Sequence, residues 1–244
     1  MNLQSQIYKQ GCLTKADRQE MLRLHCQYFA NVAPGAFFND LEQKQWVIML
    51  RNGSTLGGFS TLQILTLLVD GRETLFMFSG DTIVDRACRN YPALAGCFGH
   101  LILKGLDIAG DRDLYWFLIS KGYRTYRFMP VFFNEFYPRF DRPTPLSFQK
   151  ALDTVALFKF GYSYDAPSGI IQTQGTKDRL KPVMQQIAPG RMRDPHIDFF
   201  FKKNPGHVIG DELACITAMQ RENLNRSAWR SIRTTPVTWV EHNV

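Results

Sequence analysis

The sequence predicts an α/β fold built on one mixed sheet with flanking helices. Two observations carry this. Three apolar runs between 46 and 84 are separated by the turn signals Asn52-Gly53-Ser54 and Asp70-Gly71, the pattern of an antiparallel meander. A loop and helix over 85–113 then lead to a further apolar run, LYWFLIS at 114–120. A crossover of that length joins parallel neighbours, so 75–83 and 114–120 are expected side by side.

The elements follow in order. Residues 14–30 read as a helix, with Asp17 and Glu20 early and Met21, Leu22, Leu24, Tyr28 and Phe29 at helical spacing. Pro34-Gly35 marks 31–40 as a loop. Strands are expected at 46–51, 56–68 and 73–84. In the crossover helix Pro92 suits a first turn, Asn90 lies near the cap, and Leu94, Phe98, Leu101, Ile102 and Leu106 form the apolar stripe. Residues 123–136 read as a helix bent or broken near Pro130. The run RPTP is a break, 146–160 a helix, and 163–190 a long loop rich in Gly, Pro, Gln and Ser. A short helix is expected from Asp194 to Asn204-Pro205-Gly206, and a last strand over 211–219. The predicted organisation is one domain over 1–219, with its core at about 14–141 and a C-terminal elaboration over 142–219. The polar stretch 220–244 is expected to be partly disordered or a docking arm.

Composition narrows the function classes. The chain has 244 residues, 45% apolar and 21% charged, which suits a globular core and excludes general disorder. No apolar run is long enough for a transmembrane helix, and the N-terminal residues lack the apolar core of a signal peptide. Cys12, Cys26, Cys88, Cys97 and Cys215 are scattered with no CxxC pair. That predicts no disulfide framework, no metal site and a reducing, cytoplasmic setting. The net charge of +7 is concentrated in two segments, 121–142 and 176–203, while the remainder is balanced. Two basic patches suit a phosphate or an acidic partner better than a nucleic-acid-binding surface.

The order helix, meander, crossover, strand, helix and late strand resembles the Gcn5-related N-acetyltransferase (GNAT) superfamily. The residues carrying the resemblance are WVIMLRNGSTLGGFSTLQIL, ETLFMFSGDTIV, and LYWFLIS followed by KGYRTYRFMPVFFNEFYPRF. They cover roughly 100 of the 244 residues. The resemblance implies a parallel strand pair splayed at a V-shaped cleft that receives the pantetheine arm of an acyl thioester. The family's glycine-rich pyrophosphate loop has no counterpart here: its place holds Arg86, Arg89, Asn90, Tyr91 and Pro92, and Gly96 and Gly99 come later, on the helix, where close helix–sheet packing is expected. A carrier-protein donor, with a single phosphopantetheine phosphate near Arg86 or Arg89, needs less of that loop than acyl-CoA does.

Amine acylation requires a base on the acceptor side and donors near the thioester. Asp81, beside a Gly80 suited to a strand bulge, is the expected base, and His207 is its rival. Tyr126 is a candidate acid for the leaving thiolate, with Tyr123 and Tyr137 as alternatives. Ser120, Lys121 and Arg124 are expected on the donor side. His25 and His100 read as packing residues on helices. The Phe-rich runs suggest an acyl-chain pocket lined by Phe128, Phe132, Phe133, Phe136, Phe199 and Phe200. The resemblance further implies an N-acyltransferase of the kind found in bacterial natural-product pathways. Such an enzyme moves a fatty acyl group from CoA or a carrier protein to an amine, such as a lysine or ornithine side chain of a peptide. No covalent enzyme intermediate is expected, since no Cys or Ser has a nucleophile's setting. The alternative is a non-catalytic acyl- or carrier-protein-binding module with the same fold.

Overall fold

The computed structural model describes residues 3–88, 93–182 and 190–241. Its centre is a nine-stranded sheet in the order β11-β1-β3-β4-β5-β6-β10-β8-β7. The meander forms as expected, from β3 (Trp46–Asn52), β4 (Thr55–Val69) and β5 (Arg72–Val84). Its second turn is tight because Asp70 and Gly71 both adopt positive φ, at 48° and 79°. The crossover helix α3 (Ala93–Ala109) returns the chain to β6 (Asp113–Ser120), which pairs in parallel with β5. The late strand β10 (Glu212–Ala218) adds antiparallel to the far side of β6.

Alternation along the strands sorts the core into two faces. Leu75 and Met77 of β5 and Leu114, Trp116 and Leu118 of β6 pack on the α3 side. Their neighbours Phe76, Phe78 and Phe117 face α6 (Leu146–Phe160) on the other side. Helix α1 (Lys15–Tyr28) and α2 (Pro34–Glu42) cover the meander on that same second face, against Val47, Met49 and Phe59. Helix α1 starts with a capping box in which Thr14 and Asp17 satisfy each other's backbone donors.

Several expectations are corrected. Pro34 opens α2 rather than a loop, because its fixed φ and missing donor suit the first helical position. The N-terminal residues form β1 (Leu3–Lys9), antiparallel to β3. The stretch 123–136 is two short helices, α4 (Tyr123–Tyr126) and α5 (Phe128–Phe132), followed by extended chain. The loop after α6 contains the short strands β7 (Tyr164–Asp165), β8 (Ile170–Ile171) and β9 (Arg179–Leu180), the last pairing with β2 (Phe29–Ala30). Helix α7 (Pro195–Lys203) forms as expected with Asp194 as its cap.

The polar tail is structured through residue 241. It supplies α8 (Arg226–Thr234), capped by Asn225, and β11 (Thr238–Val240), parallel to β1. Helix α8 lies against α3, where a Cβ on Gly99 would come within 2.3 Å of Ile232 and one on Gly96 within 2.0 Å of Thr235. These glycines therefore serve helix–helix contact with the tail rather than contact with the sheet. Lys104 of α3 bonds Glu241 at 2.9 Å and sits 4.8 Å from the ring centres of both Trp46 and Trp239. No helix among the described residues is long and apolar enough to cross a membrane.

Candidate active site

The β5–β6 ladder runs from Thr74 opposite Asp113 to Ser79 opposite Leu118 and then stops. Its last link is a side-chain bond, Trp116 Nε1 donating to Ser79 Oγ at 2.9 Å. On the other side of β5 the register slips at the same place. Leu62 faces Ser79 and Ser60 faces Thr82, so Gly80 and Asp81 together oppose Thr61. The bulge falls where β5–β6 pairing ends, with β5 running on to Val84 and β6 to Ser120, and this unpaired end is the fork. Gly80 leaves room there: a Cβ would lie 2.7 Å from Thr61 Oγ1 and 2.9 Å from Lys44 Nζ, so both side chains would have to shift.

The mouth of the fork is charged. Asp81 points toward His25 of α1, whose Nδ1 is 3.8 Å from Asp81 Oδ1. The His25 ring is 3% exposed and is stacked on Phe29 with centres 4.5 Å apart. Its Nε2 is 3.4 Å from Asp178 Oδ2. Asp178 also accepts from Lys121 Nζ at 2.8 Å, and Glu212 lies 3.6 Å from the same ammonium. Lys44 is bonded to Asp40 at 2.9 Å and lies 4.7 Å from the Phe78 ring centre.

Burial raises the Asp81 pKa; Asp40 and Asp178 push the same way, and the neighbouring His25 ring and the Lys121 ammonium oppose them. Burial also raises Glu212. For Asp178 burial is outweighed by the bonds from His25 and Lys121, and its carboxyl is held far below the usual range. Burial depresses Lys121, but Glu212 and Asp178 more than compensate and keep it charged.

Among the described residues, three buried side-chain atoms around this cluster lack a hydrogen bond: Thr61 Oγ1, Ser120 Oγ and His25 Nδ1. His25 Nδ1 is buried without a partner. With the Nε2 proton given to Asp178, the Nδ1 lone pair faces Asp81. The pair thus presents one carboxylate and one imidazole lone pair to a shared point, the geometry needed to hold an ammonium group and take its proton.

Asp178 reaches the fork from the C-terminal elaboration. Its loop is strapped across the mouth by β9: Leu180 pairs with Phe29, and Lys181 N donates to Tyr28 O at 3.0 Å.

The other predicted residues divide. Lys121 is in the cluster, but two carboxylates hold it, so it is not presented to a phosphate. Ser120 is fully buried beside it at the end of β6. Tyr126 lies in the core: its hydroxyl donates to Pro138 O at 2.9 Å, and it is buried among Phe136, Phe199 and Phe200. Burial raises its pKa well above the ordinary phenol value, which disfavours an acid role. His207 Nδ1 pairs with Asn204 O at 2.9 Å, and its ring packs on Phe201. Tyr123 is buried in the core and Tyr137 donates to Glu135. Arg86 is exposed after the end of β5, and Arg124 is exposed over the Tyr123 ring. Arg89 lies outside the described residues.

The six phenylalanines do not line an open tunnel among the described residues. Phe133, Phe136 and Phe200 are core residues with 4%, 2% and 0% exposure. Phe128, Phe132 and Phe133 do border an apolar recess with Phe98, Trp116 and Ile232. Its free interior is about 10 Å³, the room of one water molecule. Phe199 lies against Tyr126 instead.

His25, Asp178 and Glu212 were not singled out from sequence. His25 follows the apolar spacing of its helix, and Asp178 and Glu212 lie far along the chain from Asp81.

No family model matches the chain, and no curated protein matches it significantly. Solved structures do resemble it. One is a probable N-acyltransferase from Enterococcus faecalis, 12% identical, with TM-score 0.43, matched over 56% of this chain and 33% of that one. Another is a GCN5-related N-acetyltransferase from Kribbella flavida, 13% identical, with TM-score 0.41, over 55% and 34%. A third is NAA60 of Arabidopsis thaliana in complex with a bisubstrate analogue, 15% identical, with TM-score 0.38, over 51% and 83%. The chain spans about a third of the length of the first two.

Proposed function

We propose that the protein is an N-acyltransferase that moves an acyl group from a thioester to an amine in the β5–β6 fork. The observation that carries this is the unpartnered His25 Nδ1 facing Asp81 where the two strands stop pairing. Four carboxylates at the mouth, Asp40, Asp81, Asp178 and Glu212, against the ammoniums of Lys44 and Lys121, favour a cationic acceptor. A lysine or ornithine side chain has that charge and a reach suited to a narrow cleft.

In the step proposed, the acceptor's ammonium is held by Asp81 and gives one proton to His25 Nδ1. Asp178 fixes the ring through Nε2 and stabilises the imidazolium. The neutral amine attacks the thioester carbonyl. A C–N bond forms, the C–S bond breaks, and a second amine proton leaves with the thiolate as a thiol. The first proton passes from His25 to solvent.

The donor is acyl-CoA or acyl-phosphopantetheine on a carrier protein. Trp116 links the fork to the apolar recess, since its indole N–H bonds Ser79 while its ring borders the recess. A long acyl chain would follow that ring and displace the half-buried Phe128 and Phe132. Each further buried methylene contributes about 0.8 kcal/mol, so preference should climb steeply with chain length.

The test is mass-spectrometric detection of transfer from acetyl, hexanoyl and decanoyl thioesters, on CoA and on a bacterial acyl carrier protein, to ornithine- and lysine-containing peptides. Graded rates rising toward decanoyl are expected. Binding of the thioesters with no transfer to any amine would instead indicate a non-catalytic acyl-binding module.

A further inference from the structure

The two basic segments meet on one face. Helix α4 follows the C-terminal end of β6 and packs against α7, with the Tyr123 and Phe201 rings 5.8 Å apart. Between α4 and α5, Arg127 Nε lies 3.3 Å from Asp194 Oδ2, at the start of α7. The residues just before that cap, Arg191, Met192 and Arg193, are all exposed. Phe140, from the other segment, packs its ring edge on His196 with centres 4.8 Å apart. Arg127 and Arg139 both lie close enough to His196 to act on its charge. Arg142 stands beside Asp141, with its side chain 55% exposed.

The result is an apolar centre with a positive border. Phe140 and Met192 are 47% and 45% exposed, and of the five arginines in these two stretches Arg139 is held by Asp141 and Arg127 by Asp194, which leaves Arg142, Arg191 and Arg193 as the exposed charges. Arginine, methionine and aromatic residues are the types enriched at protein interfaces. A second copy of this chain is disfavoured as the occupant, because the chain carries +7 and would bring like charges together. Interspersed carboxylates and an apolar centre also suit a folded acidic surface better than a nucleic-acid backbone.

We infer that this face, beside the β6 end of the fork, docks an acidic acyl carrier protein and presents its phosphopantetheine thioester to the cleft. The inference rests on the thioester-dependent reaction proposed above and names its donor. The border arginines steer the carrier, and Met192 and Phe140 make the apolar contact.

The experiment measures fluorescence anisotropy of a labelled bacterial acyl carrier protein bearing decanoyl-phosphopantetheine, against wild type and the Arg191→Glu/Arg193→Glu variant. Binding weakened at least tenfold in the variant is expected, with recovery in Arg191→Lys/Arg193→Lys. Turnover of decanoyl-CoA should stay within twofold of wild type in both. Wild-type affinity for the carrier in the Glu variant overturns the inference, as does equal or tighter binding of wild type to a DNA duplex or to the acceptor peptide. Carrier binding is read without turnover. Patch-dependent binding with no acyl transfer therefore removes the acyltransferase function alone, and transfer with patch-independent binding removes the docking surface alone.

Discussion

The two halves of the β5–β6 pair differ in kind. From 74 to 79 the strands are hydrogen-bonded in parallel and dry, with Phe76, Phe78 and Phe117 on one face and Met77 and Trp116 on the other. From Gly80 onward the two strands are no longer paired, and Asp81, His25, Asp178 and Lys121 gather at that end. One bulge of a single residue separates a region built for stability from one built for ionisation. Strands that stop pairing expose polar backbone and admit charge, and here charge gathers where the ladder ends.

The largest expected effect lies in the open half. Asp81→Asn should lower turnover by about 10²-fold or more, because the acceptor's ammonium is then no longer held against His25 Nδ1. It should not destabilise the fold. The raised pKa of Asp81 means that its charged form is disfavoured in the folded state, so the carboxylate costs stability above its ordinary pKa. Asn should therefore equal or exceed wild type at pH 7, with the difference shrinking as pH falls. Near-normal turnover over pH 6–9 would end the role of Asp81 in holding the acceptor.

The closed half should show the reverse. Phe117→Ala removes a fully buried ring and should cost about 3–5 kcal/mol in urea unfolding. Activity per folded molecule should fall far less than in Asp81→Asn. A larger loss of activity than of stability would mean that the halves are not separable.

The smallest effect tests the strap. Asp178 has a depressed pKa, so its stabilisation is present above the ordinary carboxylate pKa and fades as pH falls toward the folded value. Asp178→Asn should cost about 1–3 kcal/mol at pH 7, and the difference from wild type should narrow in acid. Unfolding curves at pH 7 and pH 3 measure both, and a constant difference would mean that the carboxylate's charge does not hold the strap.

The same contrast explains what was legible in the sequence. The meander, crossover and parallel pair rest on local signals: turn dipeptides, apolar alternation and a helical stripe between two strands. Asp81 and the Gly80 bulge were readable because a glycine and a carboxylate interrupt an apolar strand. His25 was not readable, since a histidine at a buried helical position looks like packing until the fold brings it to Asp81. Asp178 is 153 residues from His25 and enters on a two-residue strand with no pattern of its own. Strand β1 was missed because LQSQIYK is mostly polar, and Leu3 and Ile7 are too few to register as an apolar face. The tail was missed because α8 is polar on its outer side and finds its partner only in the glycines of α3. Tyr126 and the phenylalanines showed the opposite error. Their chemistry was read from type, and close packing had already used them.

The clamp of Lys104 between Trp46 and Trp239 makes the end of the chain optically visible. The protein has four tryptophans, and two of them meet edge-on, with ring centres 5.5 Å apart, where β11 joins the sheet. An ammonium beside an indole alters its emission, so departure of the last strand changes the light from both rings at once. Seating of the C-terminal segment on α3 and β1 can therefore be followed in the intact protein by its own fluorescence, without a label.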